Sequence, residues 1–319
     1  MNLSIVISLL NEAESLKELI KGIKDSIENS ELKGIEYEVI MINDGSTDNS
    51  WNTIKELSKN NPFIKAVCFR RNYGKSAALY IGFKKAEGDV VITMDADLQD
   101  DPKEIVPLYK MIIEDDYDIV SGWKQKRLDN KLTKNIPSKI YNYTARRVTG
   151  IKLHDMNCGI KAYKKIVVKN IEVYGEMHRY IPYLAKNAGF TNITEKKVFH
   201  HKRKYGKSKF GINRFINGFL DLLSLNFLAK FGKKPMHLFG TLGILSFLSG
   251  FAIAIWIIVD KLVAQSRGLK FRPATEQPLF YIALVIIIIG TLLFLTGFIG
   301  ELISRNSSSR NDYKIREEI

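Results

Sequence analysis

The feature that most constrains this chain is a pair of long uncharged segments near its end. Residues 238–259 and 279–300 each contain 22 consecutive residues without Asp, Glu, Lys or Arg. A helix rises about 1.5 Å per residue, so each segment is long enough to cross the roughly 30 Å of bilayer hydrocarbon. A core helix of a soluble protein seldom lacks charge on every face over such a length. The sequence therefore predicts two transmembrane helices.

The charges around these segments predict their orientation. A basic segment over 200–234 precedes the first of them, and positive charge favours the cytoplasmic side of a membrane. The 19-residue connection 260–278 carries four basic residues of its own, which reduces the asymmetry. We expect a multi-pass protein of the cell (inner or plasma) membrane, with the large N-terminal part in the cytoplasm. Two spans then return the polar end, 304–319, to the same side as a flexible tail.

Composition limits which binding partners and which cellular compartment remain open. The formal net charge is +14, and two clusters hold much of it: eight Lys and Arg against one acid over 124–147, and nine against one over 200–234. Such clusters attract polyanions, so nucleic acid, phosphorylated substrates and anionic lipid all stay open at this point. Two cysteines, Cys68 and Cys158, provide no disulfide framework, which fits a reducing compartment. No basic stretch precedes the first apolar run, so we expect no signal peptide.

The N-terminal part alternates between strand and helix patterns. Apolar runs over 3–10, 37–42, 64–69 and 89–94 predict strands, and 118–121 predicts a further short one. After the first run, apolar residues recur at helical spacing, at Leu16, Leu19, Ile20, Ile23 and Ile27. Alternation of this kind predicts an α/β fold with a doubly wound, mostly parallel sheet.

Carboxylates gather where the fourth strand ends. Asp95, Asp97 and Gln99 follow the run Val90-Val91-Ile92-Thr93-Met94 at intervals of two residues. Open α/β sheets bind ligands at the carboxyl ends of their strands. Three oxygen-bearing side chains at this spacing can converge on one hard divalent cation, and carboxylate and amide oxygens suit Mg²⁺ or Mn²⁺. An acidic solvated turn is the alternative.

The other predicted strands also end in polar residues. Asn11 and Glu12 follow the first, Asp44 follows the second, and Arg71 and Lys75 follow the third. Glu12 and Asp44 can accept hydrogen bonds from a nucleoside base and ribose, and the basic residues can neutralise phosphates. Parallel strands bring their carboxyl ends to one edge, so these side chains are expected to line one crevice.

Four motifs in this crevice resemble those of family 2 glycosyltransferases with a GT-A fold. They are Ser-Leu-Leu-Asn-Glu at 8–12, Asn-Asp-Gly-Ser-Thr-Asp at 43–48, Arg-Asn-Tyr-Gly-Lys at 71–75 and Asp-Ala-Asp-Leu-Gln-Asp-Asp-Pro at 95–102. Within that family the chain is most similar to the polyprenyl-phosphate branch, which includes dolichyl-phosphate mannose synthase and bactoprenol glucosyltransferase. The resemblance covers roughly residues 3–300. Ser8 stands where the family usually has Pro, and Asn43 where it often has Asp.

Two later stretches extend the resemblance and suggest further site residues. His-Asp-Met-Asn-Cys-Gly-Ile at 154–160 resembles the family's Asp-x-x-Cys-Gly-Phe stretch, and Arg-Lys-Tyr-Gly-Lys-Ser-Lys at 203–209 resembles its Arg-x-x-Gly-x-Ser-Lys loop. Residues 137–147 resemble the segment that receives the lipid phosphate. Guanidinium groups suit that role because they bind phosphate oxygens in a fork.

The site residues implied by the motifs fall into four groups. The nucleotide-sugar group is Leu9, Asn11, Glu12, Asp44, Lys75 and Asp95. The metal group, for Mg²⁺ or Mn²⁺, is Asp95, Asp97 and Gln99. The acceptor-phosphate group is Arg127, Arg146, Arg147, Arg203 and Lys209. The catalytic group is Asp155 and Asp97, with Glu176 as a rival to Asp155 at the reacting centre.

The implied organisation is a cytoplasmic GT-A domain over 1–210, juxtamembrane amphipathic helices over 211–236, two transmembrane helices within 237–303 and a tail over 304–319. The implied reaction moves a sugar, with inversion, from a nucleotide-sugar to a polyprenyl phosphate. UDP-glucose is the favoured donor, with GDP-mannose and rarer sugars open, and no nucleic acid takes part. Faces at Gly240/Gly243 and Gly297/Gly300 could join copies of the chain in the bilayer.

Two alternatives stay open. A processive polysaccharide synthase shares the fold, but its expected Gln-x-x-Arg-Trp motif does not occur in this sequence. A non-catalytic membrane adaptor would use the basic segments to bind nucleic acid or acidic lipid. The adaptor hypothesis gives the acidic motif no purpose.

Overall fold

The computed structural model describes residues 1–124, 143, 145–147, 149–205, 227, 235–268, 273–306 and 315–318. The chain divides into two compact units, one formed by the N-terminal part with the C-terminal end and one by the apolar segment between them. The predicted amphipathic helices over 211–236 lie almost entirely outside the described residues.

The described residues include eight strands and eight α-helices with defined ends, besides helical residues at 143, 145–147, 149 and 227. The strands are β1 Leu3–Leu9, β2 Tyr37–Asn43, β3 Ile64–Phe69, β4 Val90–Asp95, β5 Ile119–Trp123, β6 Lys161–Lys164, β7 Ile193–Lys197 and β8 Ile315–Glu318. The helices are α1 Leu16–Glu28, α2 Ser50–Asn60, α3 Lys75–Lys85, α4 Ile105–Ile113, α5 Lys165–Lys169, α6 Ile181–Asn187, α7 Pro235–Ser266 and α8 Pro278–Asn306. Short 3₁₀ turns cover Pro102–Glu104, Met177–Tyr180 and Ala274–Glu276.

All eight strands form one sheet in the order β7-β5-β6-β4-β1-β2-β3-β8. The pairs β1–β2, β1–β4, β2–β3 and β5–β7 are parallel, which confirms the predicted doubly wound, mostly parallel fold. Strand β6 is antiparallel to both β4 and β5. The sequence did not predict this insertion, because β6 follows a long segment rather than another strand–helix unit.

The site is positioned by a reversal of strand order at the centre of the sheet. From β1 the chain adds β2 and β3 on one side and then returns to place β4 on the other. Ligand crevices of α/β sheets open at such a reversal, beyond the carboxyl ends of the strands. Ser8 near the end of β1 is in register with Asp95 at the end of β4. The motifs that follow these two strands therefore emerge side by side.

Helix α1 shows how the local pattern produces the core. The five residues predicted from helical spacing are the buried residues of this helix: Leu16, Leu19, Ile20, Ile23 and Ile27. They join side chains from β1, β2 and β4 in one hydrophobic cluster. Burial of such a large aliphatic side chain is worth about 1.5–3 kcal/mol, so the apolar face of α1 fixes the helix, and with it the preceding loop, against the sheet.

One buried carboxylate lies at the opposite end of the sheet from the crevice. The Glu38 side chain is 1% exposed and accepts hydrogen bonds from Ser4 Oγ at 2.6 Å and from the backbone N–H of Glu87 at 2.8 Å. Lys65 Nζ lies 2.9 Å from its other oxygen. Burial disfavours the ionised form, but these donors and the Lys65 charge outweigh it and hold the pKa of Glu38 below its ordinary value.

The second unit consists of two long apolar helices packed against each other. Both α7 and α8 contain segments long and apolar enough to cross a membrane, as the uncharged segments predicted. They approach closely at glycines: a Cβ on Gly243 would lie 2.7 Å from Gly290 O, and one on Gly250 would lie 2.8 Å from Ala283 O. Gly243 therefore serves packing within the chain, and so does Gly297, whose Cβ would meet Phe239. The faces that the sequence suggested for joining copies are largely occupied within the chain.

The C-terminal end differs from the prediction of a flexible tail. Helix α8 continues to Asn306, and β8 pairs antiparallel with β3, with Val67 opposite Glu318. Lys85 at the end of α3 forms an ion pair with the Glu318 side chain. An edge strand exposes unpaired N–H and C=O groups, and β8 supplies partners for those of β3. The sequence pattern missed this strand because it is short and highly charged.

Candidate active site

The loops after β1 and β2 are joined by the Asn11 side chain. Asn11 has a left-handed backbone, with φ of 53°, which turns the chain sharply at the end of β1. Its Oδ1 accepts a hydrogen bond from Thr47 N at 2.7 Å, and its own N–H donates to Ser46 Oγ at 2.8 Å. Next to it, Glu12 N donates to Ser50 Oγ at 3.0 Å. The two motifs thus form one rigid wall of the crevice.

The carboxylate of Asp44 holds the loop after β3. One oxygen accepts from Tyr73 N at 2.7 Å and the other from Gly74 N at 2.9 Å. Asp44 is 5% exposed, and burial raises its pKa, although the two backbone donors oppose the rise. Gly74 has φ of 93°, a conformation that glycine adopts without strain. The second and third strand ends are therefore tied together through this carboxylate.

Asp95 forms an ion pair with Lys75. The lysine stands at the start of α3, and its ammonium group contacts Asp95 Oδ1. Burial disfavours ionisation of Asp95, but the Lys75 and Lys124 charges outweigh it and lower its pKa to about 2. Asp95 is therefore a carboxylate at neutral pH. Lys75 faces the acidic motif, where it can also meet a phosphate carried there.

Asp97 lies in a different electrostatic environment. Burial and the neighbouring Asp95 charge raise its pKa, because two carboxylates so close together disfavour double ionisation. Its Oδ2 accepts a hydrogen bond from Arg203 Nη2 at 3.1 Å, and the same nitrogen donates to Glu12 Oε1 at 3.0 Å. Its Oδ1 accepts from Gln99 N at 3.2 Å. Gln99 Nε2 in turn lies 3.5 Å from His200 Nε2.

The segment that contains Asp155 reaches the acidic motif through Gly159. A Cβ at Gly159 would overlap the Asp95 carboxylate, so only glycine allows the backbone to pass so close. Gly159 O accepts a hydrogen bond from Thr93 Oγ1 at 2.9 Å, which fixes this approach. Asp155 is 2% exposed, and its Oδ1 accepts from Asn157 N at 3.2 Å. The structure therefore brings the Asp155 turn to the strand that carries Asp95.

A buried ion pair between Asp100 of the acidic motif and Lys124 was not predicted from the sequence. Lys124 Nζ lies 2.7 Å from Asp100 Oδ1, and the Asp100 side chain is 1% exposed. Lys161 is also buried, donates to Cys158 O, and has its pKa lowered by burial. Burial raises the pKa of Cys158 to about 12, so its thiol stays neutral. The sequence offered one signal, the position of Lys124 at the end of β5, but Lys124 was counted only as part of a basic cluster.

Glu176, the rival to Asp155, has a different setting. Its Oε2 pairs with Arg179 Nη2 at 2.9 Å and lies 4.0 Å from His178 Nδ1. The His178 ring nitrogen Nδ1 is 3.1 Å from Ser76 Oγ, one residue after Lys75. The Glu176 side chain is 46% exposed, whereas Asp155 is buried. The structure thus places Asp155, not Glu176, on the segment that touches Asp95.

Comparison with known proteins identifies the family to which this chain belongs. Residues 4–172 match the Glycosyl transferase family 2. The chain is also 32% identical over 307 residues to the dodecaprenyl-phosphate galacturonate synthase of Rhizobium johnstonii, covering 96% of this chain and 88% of that protein. This chain belongs to glycosyltransferase family 2.

Solved structures agree with the family at the level of the fold. Mannosyl-3-phosphoglycerate synthase from Rubrobacter xylanophilus superposes with a TM-score of 0.57 at 13% identity, covering 72% of this chain and 75% of that one. Glucosyl-3-phosphoglycerate synthase from Mycobacterium tuberculosis, solved with Mn²⁺ and UDP-glucose, gives 0.53 at 15% identity, covering 72% and 78%. The catalytic unit of this glycosyltransferase therefore has the predicted GT-A fold.

The acidic motif of this glycosyltransferase fits a divalent cation. Asp95, Asp97 and Gln99 offer hard oxygen donors, and both carboxylates attract cationic side chains in the structure, Lys75 and Arg203. No cluster of three His, Cys, Asp or Glu side chains with metal-ligand geometry occurs in the part of the chain that the structure describes. Asp95, Asp97 and the amide oxygen of Gln99 are the donors of this motif that would hold the cation.

The other expected site residues differ in burial, and two of them lie outside the described residues. Leu9 is 3% exposed within the core, and its carbonyl accepts a hydrogen bond from Asp44 N at 2.9 Å, so its side chain faces the core rather than the crevice. Arg146 is partly buried and Arg147 exposed. Arg127 and Lys209 lie outside the described residues.

Proposed function

We propose that this glycosyltransferase transfers a sugar from a nucleotide-sugar to the phosphate of a polyprenyl phosphate at the cytoplasmic face of a membrane. The observation that carries the proposal is the crevice itself. Arg203 joins Glu12 to Asp97, and the loop that Asp44 holds is followed by Lys75, which pairs with Asp95; the same chain has two membrane-length helices. The similarity to a dodecaprenyl-phosphate galacturonate synthase over nearly the whole chain supports the acceptor class.

The chemistry of the acceptor explains why the site needs little proton transfer. A phosphate monoester has a second pKa of about 6, so it is largely ionised at neutral pH. One of its oxygens forms the new bond to the anomeric carbon, and the bond from that carbon to the nucleoside diphosphate breaks. Attack from the opposite side gives inversion. The protein's main task is therefore to position two anions against each other.

The proposed donor side uses residues from the first four strand ends. Glu12 and Asp44 would receive hydrogen bonds from the nucleoside, and Lys75 would meet the diphosphate. Asp95, Asp97 and Gln99 would hold Mg²⁺ or Mn²⁺, which offsets the charge that develops on the leaving diphosphate. The Asp95 carboxylate is ionised at neutral pH, as a ligand of a hard cation must be.

Asp155 is the carboxylate that we place nearest the reacting centre. It lies on the turn that Gly159 anchors against Asp95, and it is buried. Because the acceptor is already ionised, Asp155 would orient the reactants or stabilise positive charge on the sugar ring, without acting as an obligatory base. Glu176 is held by Arg179, which leaves it less suited to that role.

The proposed acceptor side is basic. Arg146 and Arg147 lie on a short helical stretch at the end of the basic segment that starts at Lys124. Arg203 belongs to the loop that the family resemblance leaves to either the diphosphate or the acceptor phosphate, and it contacts Glu12 and Asp97. Two membrane helices would keep the enzyme where the lipid tail resides, so the tail need not leave the bilayer. Arg127 and Lys209 stay expectations from the family resemblance.

A transfer assay tests the proposal. The full chain in detergent micelles with Mn²⁺ would receive undecaprenyl phosphate and a panel of labelled donors: UDP-glucose, UDP-galacturonate, UDP-galactose and GDP-mannose. We expect one labelled lipid product, removed by EDTA and reduced by at least about 10²-fold by Asp97→Asn. Asp101→Asn is the matched control, because Asp101 caps the following turn through Lys103 N at 3.0 Å, and asparagine caps equally well.

The outcomes separate the parts of the proposal. Transfer by Asp97→Asn at the wild-type rate would refute the metal assignment. Transfer to another acceptor but not to undecaprenyl phosphate would refute the acceptor class, whereas nucleotide binding without any transfer would mean a rarer sugar or a different acceptor. The donor identity would follow directly from the labelled product.

A further inference from the structure

Arg203 joins two carboxylates with different proposed tasks. Its Nη2 lies 3.0 Å from Glu12 Oε1, at the nucleotide wall, and 3.1 Å from Asp97 Oδ2, in the acidic motif. The three side chains are only 22%, 12% and 14% exposed, respectively. Water therefore screens these contacts less than it screens a surface ion pair, and each contact influences what else the carboxylates can bind.

The neighbouring residue shows that this placement is particular to Arg203. Lys204 points outward and pairs with Glu18 at 2.7 Å, with side chains 55% and 49% exposed. The two residues carry the same charge at adjacent positions of the segment after β7. Of these two residues, Arg203 reaches the acidic motif and Lys204 does not. Any general effect of charge in this segment is therefore shared by Lys204, whereas an effect through Asp97 is not.

We propose that Arg203 makes cation binding at Asp97 depend on the nucleoside diphosphate. The proposal rests on the proposed function. A divalent cation that takes Asp97 Oδ2 must displace the guanidinium or lie beside it, and two cations on one carboxylate repel each other. The cation alone therefore binds against a competitor that belongs to the protein itself.

A diphosphate removes this competition. Its oxygens match the guanidinium fork and can accept two parallel charge-assisted hydrogen bonds. Arg203 then has an anionic partner close to Glu12, so breaking its contact with Asp97 costs little free energy. Nucleotide and cation therefore each strengthen the binding of the other, and the coupling free energy exceeds what their direct contact provides. The coupling is reciprocal. Cation binding without substrate, which would expose the motif to stray metals, is disfavoured.

Mn²⁺ binding to the full chain in micelles tests the proposal without any turnover. Free Mn²⁺ would be measured by electron paramagnetic resonance, first alone and then with saturating UDP or GDP. For Arg203→Gln, we expect Mn²⁺ alone to bind about tenfold more tightly than to the wild type, since a charge-assisted hydrogen bond no longer competes. The factor by which the nucleotide strengthens Mn²⁺ binding should fall by a similar amount. Arg203→Lys, which keeps the charge without the fork, should lie between them.

The matched control is Lys204→Gln, which removes the same charge one residue away and should leave Mn²⁺ binding within about twofold of the wild type. Equal or weaker binding of Mn²⁺ alone by Arg203→Gln overturns the proposal, as does an equal gain in Lys204→Gln. A wild-type protein that binds nucleotide but no Mn²⁺ overturns the metal part of the proposed function, and the proposal falls with it. Loss of nucleotide binding in Arg203→Gln would mean a fold or donor-site defect, and Arg203→Lys then decides the outcome.

Discussion

The close approach of Gly159 to Asp95 makes Gly159→Ala a direct test of how the active site is built. A Cβ at this position would lie 2.7 Å from Asp95 Cγ and 3.1 Å from Asp100 Oδ2. Ordinary contact begins at 3.4 Å, so relief of the Cγ contact alone takes a movement of about 0.7 Å, and relief of the closer contact with Asp95 Oδ2 takes more. The backbone of Gly159 is not left-handed, and alanine itself adopts its conformation without strain.

The expected effect on activity exceeds the effect on stability. Inserting a methyl group into a filled site costs about 1–3 kcal/mol of stability, which a domain of this size tolerates. A misplacement approaching 1 Å near the reacting atoms costs on the order of 10²-fold in rate. We therefore expect kcat to fall about 100-fold, equivalent to about 2.7 kcal/mol at the transition state, with a higher Mn²⁺ requirement because Asp95 is displaced.

The assay is the transfer reaction described above, with Mn²⁺ titrated for each variant and thermal unfolding measured in the same detergent. Gly22→Ala is the matched control: it makes the same chemical change within α1, where the new methyl meets only Pro102, at 3.1 Å from Cγ. Gly22→Ala should retain wild-type kcat. A folded Gly159→Ala protein with wild-type kcat and Mn²⁺ dependence would refute the claim that the Asp155–Gly159 turn positions Asp95.

Three further predictions concern other parts of the molecule. Glu38→Gln should lower the free energy of unfolding by about 1–2 kcal/mol at neutral pH, allowing for screening at the half-exposed Lys65. Because folding lowers the pKa of Glu38, its contribution is complete at neutral pH. The difference between the variant and the wild type should begin to shrink near the ordinary Glu value of about 4.3 and vanish below the folded-state pKa; a pH-independent difference contradicts this. Arg146→Ala should raise the KM for lipid phosphate about tenfold and leave that for the nucleotide-sugar unchanged; the reverse pattern would move Arg146 to the donor side. Gly243→Val should lower the thermal stability of the helix pair in detergent, because its Cβ meets Gly290 O at 2.7 Å, while nucleotide binding persists; unchanged unfolding would show that this contact is dispensable.

Several elements were predictable because their signals are local. The period of the apolar residues in α1 predicted its buried face residue by residue. The runs that became β1 to β5 were recognisable from their length and the turn residues after them. The uncharged segments of α7 and α8 needed no knowledge of the fold, since length and composition alone identify them.

The partners of the site residues were not predictable in the same way. Spacing placed Asp95 and Asp97 together, but not Lys75 against the first and Arg203 against the second. Arg203 is more than 100 residues from Asp97, and nothing in its local sequence distinguishes it from Lys204, which pairs at the surface. The approach of Gly159 to Asp95 depends on β6, whose antiparallel insertion beside β4 has no local signature.

The sequence by itself determined the alternation of strands and helices, the concentration of acids at strand ends and the two membrane-length helices, because each depends on residues within one turn or strand of one another. The tertiary structure decided which charges meet. Insertion of β6 brings Gly159 against Asp95 and Lys124 against Asp100 of the acidic motif, and the segment after β7 brings Arg203 to Glu12 and Asp97. Contacts of this kind depend on the order and direction of strands, and the energy that fixes that order is spread over the whole buried core rather than held in any one motif.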